Sequence, residues 1–259
     1  MANFIQNIFT KNSKLSVDQL IIKKTIVSFF FFFVFCGAAF WSWKWLRQQP
    51  STADGTRKPL RKVLNVNEKV FDGLVSNKRL TKEYPKSAAV KKARVNGDLG
   101  LKTSFDPATW KMYVLKKNGD TLKISLDEIK KLPKTEIIFN FKCIEGWSEV
   151  THWGGVRFSE FIKAFGLNEE AAMNYIGLST PDKQYYVGID MPSVMHPQTL
   201  LCYELNGKQL PMDQGFPLRL IIPVKYGIKH LKRIGTMYFD NERPPDYWAK
   251  KGYDYFSGL

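Results

Sequence analysis

Cys143 sits where an apolar, strand-like run, Phe139-Asn-Phe-Lys142, breaks into Ile144-Glu-Gly-Trp-Ser148. A thiol at a strand end, followed at once by loop residues, can present its sulfur to a bound group, although a free cysteine is more often a small buried hydrophobe. The chain has three cysteines. Cys36 lies in a membrane-like segment, which leaves Cys143 and Cys202 as the thiols of the remaining chain. Their scattered positions give no disulfide framework and no C-x-x-C pair for structural zinc.

Two further segments could do chemistry. Asp213 to Gly227 places one arginine, Arg219, inside an otherwise apolar strand. A guanidinium there needs a partner, either an internal salt bridge or a phosphate gripped bidentately. Gly227-Ile-Lys-His-Leu-Lys232 is a glycine turn followed by Lys229, His230 and Lys232. It could aim N–H groups and cations at a phosphate, or it could be a basic surface loop. The tail from Arg243 to Leu259 is rich in aromatic residues, and the expectation is that it packs onto the domain rather than catalyses.

The elements that must position these residues are short. Trp110–Leu115 and Thr121–Ile124 alternate like strands around an Asn118-Gly119 hairpin signal. Ser125-Leu-Asp-Glu128 is a capping box opening a helix that stops before Pro133. Glu136–Lys142 reads as the strand leading into Cys143, and Phe158–Phe165 as a helix ended by Gly166. Asn174–Leu178, Tyr185–Ile189 and Leu218–Pro223 are further strands. Strands outnumber helices, so an α+β domain over 91–259 is expected.

Ahead of it, Thr25 to Trp43 is uncharged over about 19 residues, enough to span a bilayer as a helix. Trp41, Trp43 and Trp45 form an interfacial belt at its end. A cleaved signal peptide competes, with Gly37 and Ala39 before a cut. The long leading region and the apolar continuation past Ala39 favour an uncleaved, single-pass anchor. The expected division is an N-terminal segment 1–24, a transmembrane helix 25–46, and a basic linker and arm 47–90. Much of the net charge of +15 lies beside the span and in that arm. No nucleic-acid-binding pattern accompanies it, so nucleic acid is not an expected partner and an anionic lipid surface is. Lysines and arginines flank the span on both sides and lean towards a cytoplasmic C-terminal side; Lys23-Lys24 stands where a twin-arginine pair would be.

Cys143-Ile-Glu-Gly-Trp-Ser148 followed by Trp153-Gly154 resembles the molybdenum-ligating cysteine segment of the sulfite oxidase-fold molybdopterin-dependent oxidoreductases. The likeness is nearest to the bacterial protein-methionine-sulfoxide reductase catalytic subunits. Met195-His-Pro-Gln-Thr-Leu-Leu201, Asn206-Gly-Lys-Gln-Leu-Pro211, the 213–227 segment, His230-Leu-Lys232 and Arg243-Pro-Pro245 follow in the family's order. The resemblance covers roughly Asn96 to Leu259. It implies a sulfite oxidase-type domain holding Mo-molybdopterin, with Cys143 as the thiolate on the metal. It further implies cofactor contacts at Asn96, Thr180, Gln214, Arg219, His230, Leu231 and Lys232, with Gln214 standing where relatives carry His or Asn. Lys225 and Tyr226 fall near the pocket by position.

Departures from the family shape the function. Sulfite oxidases place a substrate-binding arginine close to the metal cysteine, and this chain has Glu145 and Trp147 there. The three histidines lack a cytochrome b5 setting, and no dimerising sandwich domain finds room after Leu259, so a monomeric catalytic domain with a separate electron partner is expected. A membrane cytochrome suits an anchored chain. The expected reaction is oxygen-atom transfer from an S-oxide, small or protein-bound. The alternatives are oxidation of a sulfur compound, or a tethered binding module without cofactor. Family habit implies the periplasmic side of a bacterial inner membrane, against the lean of the flanking charges.

Overall fold

Ser16-Val-Asp-Gln19 closes a reciprocal cap: Gln19 N donates to Ser16 Oγ, and Ser16 N donates to Gln19 Oε1 at 3.0 Å. That cap starts α1 (Val17–Gln48) eight residues ahead of the expected span. The computed structural model describes residues 15–52, 56–74 and 79–259; most of the expected N-terminal segment lies outside them. α1 is 32 residues long, long and apolar enough to cross a membrane, and has no buried residue. The region expected as a linker contains a second helix, α2 (Lys58–Leu74). Its apolar residues recur at helical spacing, but interleaved lysines dilute the pattern. The chain divides into two units, Met1–Pro50 with Arg57–Pro59, and Ser51–Thr56 with Leu60–Leu259.

The larger unit carries two five-stranded sheets. The first joins β1 (Met112–Leu115), β2 (Thr121–Ile124), β5 (Tyr175–Ser179), β6 (Tyr186–Asp190) and β10 (Thr236–Asp240) in the order β2-β1-β10-β5-β6. Only the β1–β10 pair in it is parallel. The second runs β3 (Lys134–Lys142), β4 (Ser148–Arg157), β7 (Leu200–Leu205) and β8 (Lys208–Gln209), with β9 (Arg219–Ile221) also paired to β7. Short helices α3 (Leu126–Lys130), α4 (Phe158–Ala164), α5 (Asn168–Ala171) and α6 (Met191–Val194) connect them.

Both sheets face one large core. Met112, Ile176, Val187 and Met237 of the first meet Val156, Leu201 and Leu220 of the second, with Phe158 and Phe161 of α4. β7 is apolar on both faces: Leu201 and Tyr203 enter this core, while Leu200 and Cys202 enter a smaller one with Phe139, Trp153 and Ile221. That smaller core backs the β3–β4 hairpin and fixes the strands that carry Cys143 and Arg219.

Candidate functional site

Cys143 occupies the turn between β3 and β4. Its N–H donates to the Trp147 carbonyl at 2.9 Å, and Gly146 N–H donates to the Cys143 carbonyl at 3.0 Å. Gly146 makes that turn at φ +90°, which a side chain would strain. The thiol is buried, at 6% exposure, yet lines a cavity of about 170 Å³. Asn96 Nδ2 lies 3.6 Å from its sulfur. Phe141 stacks on Trp147 at 6.0 Å, and the Arg94 guanidinium lies 4.7 Å from the Trp147 ring. Glu145 accepts from Trp147 Nε1 at 3.1 Å; hydrogen bonds from Asn96 and Trp147 hold its carboxyl below the usual range.

The same cavity is lined by Gln214, Arg219, His230 and Lys232. β9 pairs Arg219 with Cys202 of β7, so its side chain leaves the sheet fully buried. Its Nη1 donates to the carbonyl and Oε1 of Gln214 at 3.0 and 2.8 Å, and the guanidinium lies 4.5 Å from the Trp153 ring. Burial pulls the Arg219 pKa down to about 10. Lys232 donates to the carbonyls of Asn96, Gly97 and Asp213 at 2.9, 2.9 and 3.0 Å. Burial, and then the Arg219 charge, lower it to about 8. All three ammonium hydrogens are thus engaged, so Lys232 offers an anion its charge more than a free donor. Asn96 joins the two halves of the site, its carbonyl on Lys232 and its amide at Cys143. Gly215 makes this approach possible: at φ +101°, it lies where a Cβ would stand 2.8 Å from Lys232 Cα and 2.9 Å from Arg233 N.

His230 Nε2 faces the Lys225 carbonyl at 3.2 Å, which places the ring proton there. Burial, then the Arg219 charge, hold the imidazole neutral down to about 3. Its Nδ1 and the Nε of Arg219 are buried without a hydrogen bond of ordinary geometry. Both residues line the cavity, and each unpartnered nitrogen costs roughly 1–3 kcal/mol in a folded chain unless a bound group supplies its partner, a donor for His230 Nδ1 and an acceptor for Arg219 Nε–H.

Of the residues expected from sequence, Asn96, Cys143, Gln214, Arg219, His230 and Lys232 line one cavity, and Thr180 and Leu231 do not line it. Thr180 is spent locally, donating from Oγ1 to Asp182 Oδ1 at 2.6 Å and accepting from Tyr185 N at 3.2 Å. Leu231 is an apolar core residue whose carbonyl accepts from Leu220 N. Lys229, left open between a phosphate contact and a basic surface loop, is neither: it is buried against Asp246 at 2.6 Å, and Lys225 pairs with Asp190 at 2.7 Å. Several lining residues were missed, among them Arg94, Trp248 and Tyr253. Arg94 supplies the cavity with an arginine that no motif near Cys143 showed, and the tail supplies Trp248 and Tyr253. Their only sequence signal was the aromatic density of the tail.

The oxidoreductase molybdopterin binding domain model matches residues 99–248. The chain belongs to this family. The molybdopterin-binding domain accounts for the sulfite oxidase-type α+β fold, and this oxidoreductase uses Mo-molybdopterin. A putative protein-methionine-sulfoxide reductase subunit YedZ1 of Azospira oryzae is 33% identical over 74% of this chain and 73% of its own. The protein-methionine-sulfoxide reductase catalytic subunit MsrP of Xanthomonas axonopodis is 34% identical over 57% and 52%. The mitochondrial sulfite oxidase of Rattus norvegicus is 29% identical over 60% and 33%. The chain thus spans about half the length of the MsrP relative and a third of the sulfite oxidase.

The molybdopterin-binding domain fits the group its family names. Among the described residues no three or more His, Cys, Asp or Glu side chains converge on a metal position. A metal at Cys143 would therefore take most of its ligands from a bound organic group, as a dithiolene provides. The two cations Arg219 and Lys232 on the cavity wall suit an anionic one, and the orphaned Arg219 Nε–H can donate to it, whereas the unprotonated His230 Nδ1 can only accept a hydrogen bond.

Proposed function

We propose that this chain is the membrane-anchored catalytic part of an S-oxide reductase, acting on methionine sulfoxide within proteins, with electrons delivered by a membrane cytochrome. The observation that carries this reading is the shared cavity of Cys143, the Arg219–Lys232 cradle and an aromatic rim. Cys143 would ligate the molybdenum as a thiolate, a soft donor suited to a metal that changes oxidation state. Arg219, Lys232, Gln214 and His230 would hold the polar and phosphate parts of the cofactor. When bound, the cofactor supplies a two-electron couple for oxygen-atom transfer. The overall reaction takes two electrons and two protons and converts the S-oxide to sulfide and water.

The chain's own groups favour a neutral, thioether-like substrate. Trp147, Trp248 and Tyr253 give the cavity apolar walls, and the exposed Ile144 and Tyr253 place its mouth within reach of a side chain borne on a polypeptide. Arg94 brings positive charge to the Cys143 side, but the Glu145 carboxylate feels that charge and offsets it, which suits a dianion such as sulfite poorly. α1 supplies the anchor by its length and apolar composition, and the continuation of the helix past Ala39 to Gln48 favours an uncleaved one. The YedZ1 and MsrP relatives, named as reductase subunits, support the direction of the reaction.

The test is a pair of assays on the purified full chain. S-oxide-dependent oxidation of reduced benzyl viologen is expected with methionine sulfoxide, and sulfite-dependent reduction of ferricyanide is not. Turnover of sulfite without turnover of sulfoxide would overturn the reading.

A further inference from the structure

α2 is built inside out for a helix of a soluble chain. Arg61 is buried, its Nη2 donating to Thr56 Oγ1 at 2.9 Å, and Asn65 is partly buried. Four apolar residues point the other way, Leu60, Val63, Val66 and Val70 being 44%, 58%, 59% and 50% exposed, while Leu64 is partly buried. At 100° per residue these four fall within one arc of the helix, interrupted by the exposed Asn67. Lys58 and Lys62, which flank that arc from the polar side, are also exposed. A helix that turns an arginine inward and a valine stripe outward gains nothing from water on its outer face. An apolar arc bordered by lysines is instead matched to the acyl boundary and phosphates of an anionic bilayer.

Chain continuity puts a bilayer within reach. Only residues 49–57 separate α1 from α2, a tether of at most about 35 Å. We propose that α2 lies in the membrane–water interface, its Leu60–Val63–Val66–Val70 face inserted at the acyl boundary of an anionic bilayer and its lysines at lipid phosphates. This rests on the membrane-anchored reading of α1 and adds a second, in-plane contact. One transmembrane helix alone leaves the following chain free to swivel; an interfacial helix restricts where the catalytic unit can stand relative to a membrane-embedded electron donor.

The test uses the full chain, loaded with cofactor, in bilayers of phosphatidylcholine with a minority of phosphatidylglycerol. Spin labels are placed one at a time by Leu60→Cys, Lys62→Cys, Val63→Cys and Val66→Cys in a Cys36→Ser background, the signal of the unsubstituted background being subtracted. A label from Phe33→Cys reports on α1 separately. The ratio of accessibility to oxygen over a water-soluble nickel chelate is expected to be several-fold higher at 60, 63 and 66 than at 62. It is expected to fall when phosphatidylglycerol is omitted. Equal, chelate-dominated values at all four positions would overturn the proposal, as would positions 63 and 66 reached by neither reagent, which means protein covers them. If Phe33 reads as membrane-embedded while 63 and 66 do not, the in-plane helix fails and the anchor stands; if Phe33 reads as water-exposed, the anchor itself fails.

Discussion

At the scale of single residues, two thiols of similar burial have different surroundings. Cys202 lies inside β7 between apolar neighbours, and burial pushes its thiol pKa up. Cys143 lies at a turn, beside an amide and an open volume. His230 gives a pH prediction. The folded chain holds it neutral down to about 3, whereas an unfolded histidine takes up a proton near its ordinary value of 6.5. Between those values the unfolded state binds more protons, so this residue's contribution to stability is present above about pH 6.5 and lost progressively towards pH 3. His230→Gln removes it. In denaturant titrations, the stability lost between pH 7 and pH 4.5 is expected to be smaller in the variant than in the wild type, and an equal loss would show that His230 does not titrate this way.

At the scale of elements, the tail is held by a charge hub. Asp246 accepts from Lys229 Nζ at 2.6 Å, from Gly188 N at 3.3 Å, and from the N–H groups of Trp248 and Ala249 at 3.1 and 2.9 Å. That arrangement fixes the stretch from which Trp248 and Tyr253 reach the cavity. Lys229→Met leaves the Asp246 carboxylate buried without its counter-charge, a change expected to destabilise the chain by about 3–5 kcal/mol. Chemical denaturation of the variant checks this, and a loss below about 1 kcal/mol would mean that the pair is exposed in solution. The hub also shows what sequence could and could not reveal. The Asn118-Gly119 hairpin, the Ser125 capping box and the strands β5 and β6, short runs of aromatic and β-branched residues, were legible because each rests on local rules. β4 was not among the expected strands; two glycines interrupt its apolar pattern at the register shift, and at Gly155 a Cβ would collide with the Leu201 carbonyl oxygen. β7, apolar on both faces, has no alternation to see. The settings of Lys229 and Arg94 were not legible for a different reason: their partners lie 17 and 53 residues away in sequence, at Asp246 and Trp147, and only the tertiary fold selects them.

At the scale of the whole molecule, one chain combines a helix fit to cross a membrane, a basic amphipathic helix, and a molybdopterin-binding domain with a single thiol at its cavity. The motif order made the domain and six of its cavity residues readable; Asn96, Gln214, Arg219, His230 and Lys232 join Cys143 on that cavity because the smaller core aligns β3, β4, β7 and β9. The central claim is that Cys143 is the protein's ligand to molybdenum. X-ray absorption at the molybdenum edge of the purified full chain tests it most directly. The account predicts one fewer sulfur ligand in Cys143→Ala than in the wild type, and an unchanged spectrum in Cys202→Ala. An unchanged sulfur count in Cys143→Ala, or a loss in Cys202→Ala instead, would contradict it.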